Sequence, residues 1–146
     1  MKAKSIFLYF IFIFVFSIIL KAEKADDIIG QWYTENNESL VEIYKNNGKY
    51  YGKIIWLKEP NRNGKPKLDE KNPDDKLKER PIIGLNILKD FVFDGSNEWN
   101  DGKIYDPKSG KTYSCYIKFE GTDKLKIRGY IGISLLGRTT YWTRKK

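Results

Sequence analysis

The end of the chain constrains its fold more than any other stretch. Gly129 to Arg144 reads GYIGISLLGRTTYWTR, an apolar and aromatic strand pattern with only two residues beyond it. A terminal strand that is neither charged along its length nor covered by later chain exposes a row of unpaired backbone groups, so it needs a partner. The fitting partner is Ile28 to Thr34 (IIGQWYT), the earliest strand pattern after the N-terminal segment. Pairing the two closes the sheet on itself and removes both edges.

Ahead of that strand, Lys2 and Lys4 form a basic head, and Ser5 to Leu20 (SIFLYFIFIFVFSIIL) is an uncharged apolar run. This is the layout of a secretory signal peptide over residues 1–22, with Ala22 as its last residue. A retained N-terminal anchor is the alternative, although the run is short for a spanning helix, which needs about 20 residues. The expectation is an exported protein, periplasmic or extracellular, that does not span a membrane once the signal is cleaved. Residues 23–146 then form one domain, large enough to bury roughly two thirds of its unfolded surface. Loss of Lys2, Lys4 and Lys21 lowers the formal charge from +8 to +5. That surplus suits anionic neighbours such as phospholipid head groups or acidic glycans, and equally an ordinary soluble surface.

One cysteine, Cys115, allows no intramolecular disulfide, so the fold stands on packing. The chain has no histidine. That removes Ser-His and Cys-His catalysis and every histidine-ligated metal site. Glycosidase-like hydrolysis needs only two carboxylates, and Asp69 and Asp106 exist, but no spacing brings them together. We therefore expect no catalytic residues, no cofactor and no metal.

Strand patterns fill the rest. Ser39 to Lys45 alternates, Asn46-Asn47-Gly48 is a strong hairpin signal, and Lys49 to Leu57 returns with Tyr50, Gly52, Ile54 and Trp56 on one face. Ile82 to Asp94 follows with a break at Lys89-Asp90 that suggests a bulge. Trp99 to Tyr105, Lys111 to Glu120 (Tyr113, Cys115, Ile117 and Phe119 inward), Leu125 to Ile131 (Leu125, Ile127, Gly129 and Ile131 inward) and Leu136 to Arg144 complete the set. Asp106-Pro107-Lys108-Ser109-Gly110 reads as a tight turn. The fold class is all-β: about eight antiparallel strands joined by short turns, able to close into a barrel.

The exception is Lys58 to Arg80, a long loop without a strand pattern, and loops of that length usually carry function or local structure. Asn72-Pro73-Asp74-Asp75 predicts a short helix in it, with Asn72 as N-cap. Its eight basic and six acidic residues are mixed in sign, which argues against nucleic acid.

Gly30-Gln31-Trp32 resembles the Gly-x-Trp signature of lipocalin-type barrels. There the tryptophan packs at the closed end against an arginine near the end of the last strand, and Arg144 is the candidate partner. More of the chain is similar to the exported bacterial family catalogued as domain of unknown function 2147. The matching stretches are Gly30–Trp32, Tyr51–Leu57, Asp69–Asp74, Arg80–Gly84, Gly102–Tyr113, Arg128–Gly132, Leu136–Arg138 and Trp142–Arg144. The resemblance implies a small lipocalin-like barrel outside the cytoplasm and no established activity.

Two sets of site residues follow. Trp32, Tyr50, Ile54, Trp56 and Phe91 are candidates to line an apolar pocket, or simply to fill the barrel. Asp69, Asn72 and Arg80 are candidates to gate the open end or meet a ligand's anionic group. Otherwise they are loop architecture, with Asn72 capping and Arg80 paired to Asp69 or Asp74. Gly30, Trp32 and Arg144 are the barrel-closure residues. The functional expectation is capture of a small apolar or anionic amphipathic ligand of the lipid or fatty-acid class. The alternative is a filled, non-enzymatic module that presents its long loop to a cell-envelope protein or glycan.

Overall fold

The computed structural model describes residues 13–14 and 24–146. The signal-peptide assignment falls on residues 1–22, which lie outside the described residues apart from Ile13 and Phe14. Eight strands form one closed antiparallel barrel: β1 (Gly30–Tyr33), β2 (Ser39–Asn46), β3 (Lys49–Leu57), β6 (Asn86–Phe93), β7 (Glu98–Asp106), β8 (Lys111–Phe119), β9 (Lys124–Tyr130) and β10 (Gly137–Arg144). Two short strands, β4 (Asn61–Arg62) and β5 (Lys65–Pro66), make a separate hairpin inside the long loop. Around the barrel the order is β1-β10-β9-β8-β7-β6-β3-β2. β1 pairs with β10, Trp32 opposite Arg144 and Tyr33 opposite Thr143, so the first and last strands close the sheet.

Turn chemistry sets the registers. Asn47 (φ 50°) and Gly48 (φ 77°) make the two-residue turn between β2 and β3, and Asn63-Gly64 (φ 52° and 74°) does the same between β4 and β5. Both pairs tolerate positive φ, as hairpin turns demand. The expected break in β6 is present. Asp90 has φ 63°, and the β3–β6 register shifts twice between Tyr50 and Lys53.

The antiparallel order gives the barrel two ends. The lower end carries segment 24–29, the β2–β3 hairpin, turns 94–97 and 120–123, and the C-terminus. The upper end carries turn 34–38, the long loop 58–85, turn 107–110 and loop 131–136. The core runs through the barrel and includes Trp32, Val41, Ile43, Tyr50, Leu88, Phe91, Trp99, Ile117, Leu125 and Ile127. Burying each large apolar side chain stabilises the fold by about 1.5–3 kcal/mol. Among the described residues no helix is long and apolar enough to cross a membrane.

Two details depart from the sequence reading. The single 3₁₀ turn in the long loop is Asp75–Leu77, and its N-cap is Asp74, whose carboxylate accepts from the Lys76 amide at 3.0 Å. Asn72 is displaced from that role because its side chain is committed elsewhere: its Nδ2 donates to Asp69 and its Oδ1 accepts from the Asp74 amide. At the upper end β9 stops at Tyr130, so Ile131 is exposed rather than inward.

Candidate functional site

The lower end is sealed. Segment 24–29 crosses beneath the barrel, and two tryptophans fix it: Trp32 Nε1 donates to the Ile28 carbonyl at 2.9 Å and Trp99 Nε1 to the Ala25 carbonyl at 3.2 Å. The Tyr50 hydroxyl donates to the Asp26 carboxylate at 2.6 Å, and Lys45 pairs with the same oxygen at 3.0 Å. The Tyr50 bond, helped by Lys45, holds Asp26 below the usual carboxylate range. Burial, then that same bond, pushes Tyr50 well above the ordinary tyrosine value. Arg144 lies over Trp32 with Cζ 4.1 Å from the ring centroid. It also donates to the Asp27 carbonyl at 2.9 Å, so Gly30, Trp32 and Arg144 meet where the sequence placed them. Gly30 has φ 142°, and a Cβ there would stand 3.3 Å from the Arg144 guanidinium.

Above that seal the barrel is filled. Trp32, Tyr50, Ile54 and Phe91 are 0 to 3% exposed. A Cβ on Gly102 would lie 2.4 Å from the Phe91 ring, and one on Gly52 would lie 2.8 Å from Leu88 Cδ1. These two glycines leave the space that Phe91 and Leu88 occupy. The fourfold set Trp32, Tyr50, Ile54 and Phe91 is therefore interior packing. Trp56 is not part of it. A bulge at Ile55 puts Val41 opposite Ile54 but Leu40 opposite Trp56, so the alternation changes phase and Trp56 turns outward. It is 43% exposed, edge-on to Tyr33, in an open cleft of about 290 Å³ on the outer wall.

The upper end is organised by one buried carboxylate. Asp69 is fully buried; one oxygen accepts from the Tyr105 hydroxyl at 2.6 Å, the other from Asn72 Nδ2 at 2.8 Å and Arg80 Nε at 3.0 Å. Backbone bonds from Asp69 N to Arg80 O and from Ile82 N to Lys67 O fold the loop back on itself. Asp69, Asn72 and Arg80 thus come together, but as a latch: Tyr105 on β7 is the barrel's half of it. Burial first, and the bond to Asp69 second, push Tyr105 up to about 12. The latch extends to turn 107–110, where a Cβ on Gly110 would stand only 1.9 Å from the Lys71 carbonyl oxygen. Sequence reasoning missed Tyr105, and no local signal marks a partner 36 residues away.

The inner face of β7–β10 at that end is less deeply buried. Gly129 points toward Ile104 Cγ2 (3.4 Å from an added Cβ) and Tyr113 Cβ (3.7 Å), which places the three on one inner surface. Thr140 stands opposite Ile127 and Arg138 opposite Gly129, so both share that face. Ile104, Tyr113, Gly129 and Thr140 are half-buried, in contrast to the filled region below. At the rim Arg138 pairs with Glu35 at 3.3 Å across the β1–β2 turn. The arrangement offers an apolar wall, a hydroxyl and a cation. Among the described residues no three carboxylate or thiol side chains gather to hold a metal ion.

No curated protein matches the chain. A solved structure does: protein HP1028 from Helicobacter pylori, described as belonging to the lipocalin family, is 28% identical, with a TM-score of 0.72 over 82% of this chain and 83% of that one. The barrel is lipocalin-like, an architecture suited in general to holding one small ligand. Residues 30–144 match the family described as "Uncharacterized protein conserved in bacteria (DUF2147)", and the chain belongs to that family.

Proposed function

We propose that this protein is an exported, non-enzymatic carrier that holds one small amphipathic ligand of the lipid or fatty-acid class at the upper end of its barrel. The observation that carries the reading is the change of packing along the axis. The interior is filled around Phe91 and Trp99, then gives way to the half-buried surface of Ile104, Tyr113, Gly129 and Thr140. The ligand's apolar part lies against Ile104 and Tyr113, above the space left by Gly129. Its anionic end meets Arg138, which exchanges Glu35 for it. Export rests on the basic head and the apolar run of residues 5–20. The absence of histidine supports a binding role, as does an Asp69 whose oxygens are already taken by three donors.

Mass spectrometry of the gently purified exported protein, before and after solvent extraction, tests the reading. A stoichiometric small molecule released on extraction supports it, and the native mass reports whether residues 1–22 are gone. An unliganded mass, with no melting shift across a panel of fatty acids and phospholipids, overturns it.

The full burial of Trp32, Tyr50, Ile54 and Phe91 favours one second reading: a filled barrel that presents its latched loop to an envelope protein or glycan. On that reading, substitutions of exposed residues in loop 58–80 abolish partner binding and changes at Gly129 do nothing.

A further inference from the structure

Trp56 faces outward because β3 carries a bulge. Ile54 stands opposite Val41 and Trp56 opposite Leu40, so Ile55 is the extra residue. Bulges re-aim a side chain and are over-represented beside functional sites. This one builds an aromatic corner on the outer wall. The Trp56 and Tyr33 rings stand 6.2 Å apart at 88°. Leu40 lies opposite both in the ladder and is buried beneath them as a floor. Gln31, Ile55 and Lys145 complete the lining of the cleft, whose volume is about 290 Å³.

The polar groups around this corner are unspent. The Gln31 amide, the Tyr33 hydroxyl, the Trp56 indole N–H and the Lys145 ammonium have no hydrogen-bond or ion-pair partner among the described residues. Trp32 and Trp99, by contrast, each give the indole N–H to a backbone carbonyl. Arg144 and Lys146, on either side of Lys145, both pair with Asp123. The Lys145 amide donates to the Gln31 carbonyl at 2.9 Å, which holds this lysine beside β1. Glu42, opposite Gln31 on β2, is taken by Lys53 at 3.3 Å. The cleft therefore presents one cation and no acid.

Shape and charge together select the ligand. Two perpendicular rings give a flat aromatic molecule only one face to stack on. An open cleft of this size does not enclose an acyl chain, and ligand sites bury most of what they hold. A pyranose suits the corner. It is a thick ring whose C–H bonds pack against the electron-rich faces of aromatic side chains. Its hydroxyls can meet the Gln31 amide and the Tyr33 hydroxyl, and a carboxylate on the ring can meet Lys145.

We propose that the Trp56–Tyr33 cleft is a saccharide site that takes a uronic-acid residue of an acidic glycan. The outer wall leaves the rest of the glycan chain free to run on from it. The proposal does not depend on the carrier reading, which concerns the inner surface of the barrel.

The test follows the indole N–H resonances of nitrogen-labelled protein as trigalacturonic acid is added, with maltotriose as the neutral control. The Trp56 signal is identified by its loss in Trp56→Phe. It should move saturably with trigalacturonic acid, and less as salt is added, while the signals of Trp32, Trp99 and Trp142 stay in place. Lys145→Gln should weaken binding by on the order of tenfold and remove the preference over maltotriose. Trp56→Ala should abolish binding measured by calorimetry. Lys145 lies beyond the last strand, so Lys145→Gln decides the matter if Trp56→Ala does not fold. No movement of Trp56, equal movement with maltotriose, or unchanged binding by Lys145→Gln overturns the proposal. So does movement of Trp56 with a fatty acid but not with trigalacturonic acid, which would assign the cleft to an acyl chain.

Discussion

Arg144 covers Trp32: its Cζ stands 4.1 Å from the indole centroid while its guanidinium reaches the backbone carbonyls of Asp27 (2.9 Å) and Ile29 (3.4 Å). One side chain near the end of the chain therefore fixes both the first strand and the segment that seals the barrel. Trp32 is fully buried beneath it.

Arg144→Ala should destabilise the barrel by about 1–3 kcal/mol, combining the lost cation–π contact with carbonyls left short of a donor. Arg144→Lys should recover little of this, because an ammonium lacks the planar fork that stacks and bonds at once. Urea unfolding followed by tryptophan fluorescence measures both.

Asp69→Asn replaces a buried carboxylate that holds three donors and leaves Arg80 without its counter-charge. The expected cost is about 3–5 kcal/mol. Trypsin should then cut after Lys67, Lys71, Lys76 or Lys78 well before the barrel unfolds, while the unaltered protein resists there. Resistance equal to that of the unaltered protein would show that the latch does not order the loop.

The same latch predicts an alkaline limit. A free tyrosine loses its proton near pH 10, but Tyr105 is pushed up to about 12. Between those values the folded state holds a proton the unfolded state has lost, so stability is complete below pH ~10 and falls as pH rises toward 12. Burial pushes Cys115 up to about 12 as well, and its contribution has the same sign. Tyr50, raised by burial and its bond to Asp26, acts with the same sign, so in a Cys115→Ala background Tyr105→Phe should make the slope of melting temperature against pH shallower in this window without abolishing it. An unchanged slope would remove Tyr105 as the cause.

Gly102→Ala puts a methyl 2.4 Å from the Phe91 ring and should cost about 1–3 kcal/mol by overpacking. Phe91→Leu should recover part of that cost in the double variant. A coupling of about 0.5–3 kcal/mol in the double-mutant cycle identifies the pair as neighbours in a filled interior, and simple additivity would deny it.

Barrel closure was legible because each half of it is local: a Gly-Gln-Trp strand start at one end, a Trp-Thr-Arg strand end at the other, and hairpin signals such as Asn47-Gly48 between. β3 runs over Lys49–Leu57, the same span its alternation gives. The outward turn of Trp56 is hidden in the sequence because Ile54-Ile55-Trp56-Leu57 is apolar on both faces, so the alternation carries no trace of the bulge. The apolar pattern points Ile131 inward because it runs past the point where pairing with β8 ends. Asp69, Asn72 and Arg80 stand out in the sequence, but their convergence on Tyr105 is a tertiary fact. The half-buried face at Ile104, Tyr113, Gly129 and Thr140 was invisible for a related reason. Its residues alternate like those of the filled region, and only the volumes across the barrel distinguish them.

If the ligand's apolar part lies above Gly129, filling that position displaces it. Gly129→Leu adds a side chain toward Ile104 and Tyr113 at ordinary contact distance, without the strain of a positive φ. Titration of a fluorescent fatty acid into the unaltered protein and this variant, both checked for an intact melting transition, gives the answer. The expected result is saturable one-to-one binding that the variant loses by tenfold or more, on the order of 1.4 kcal/mol. Equal binding by the two, or none by the unaltered protein, would rule out a ligand seat at Gly129.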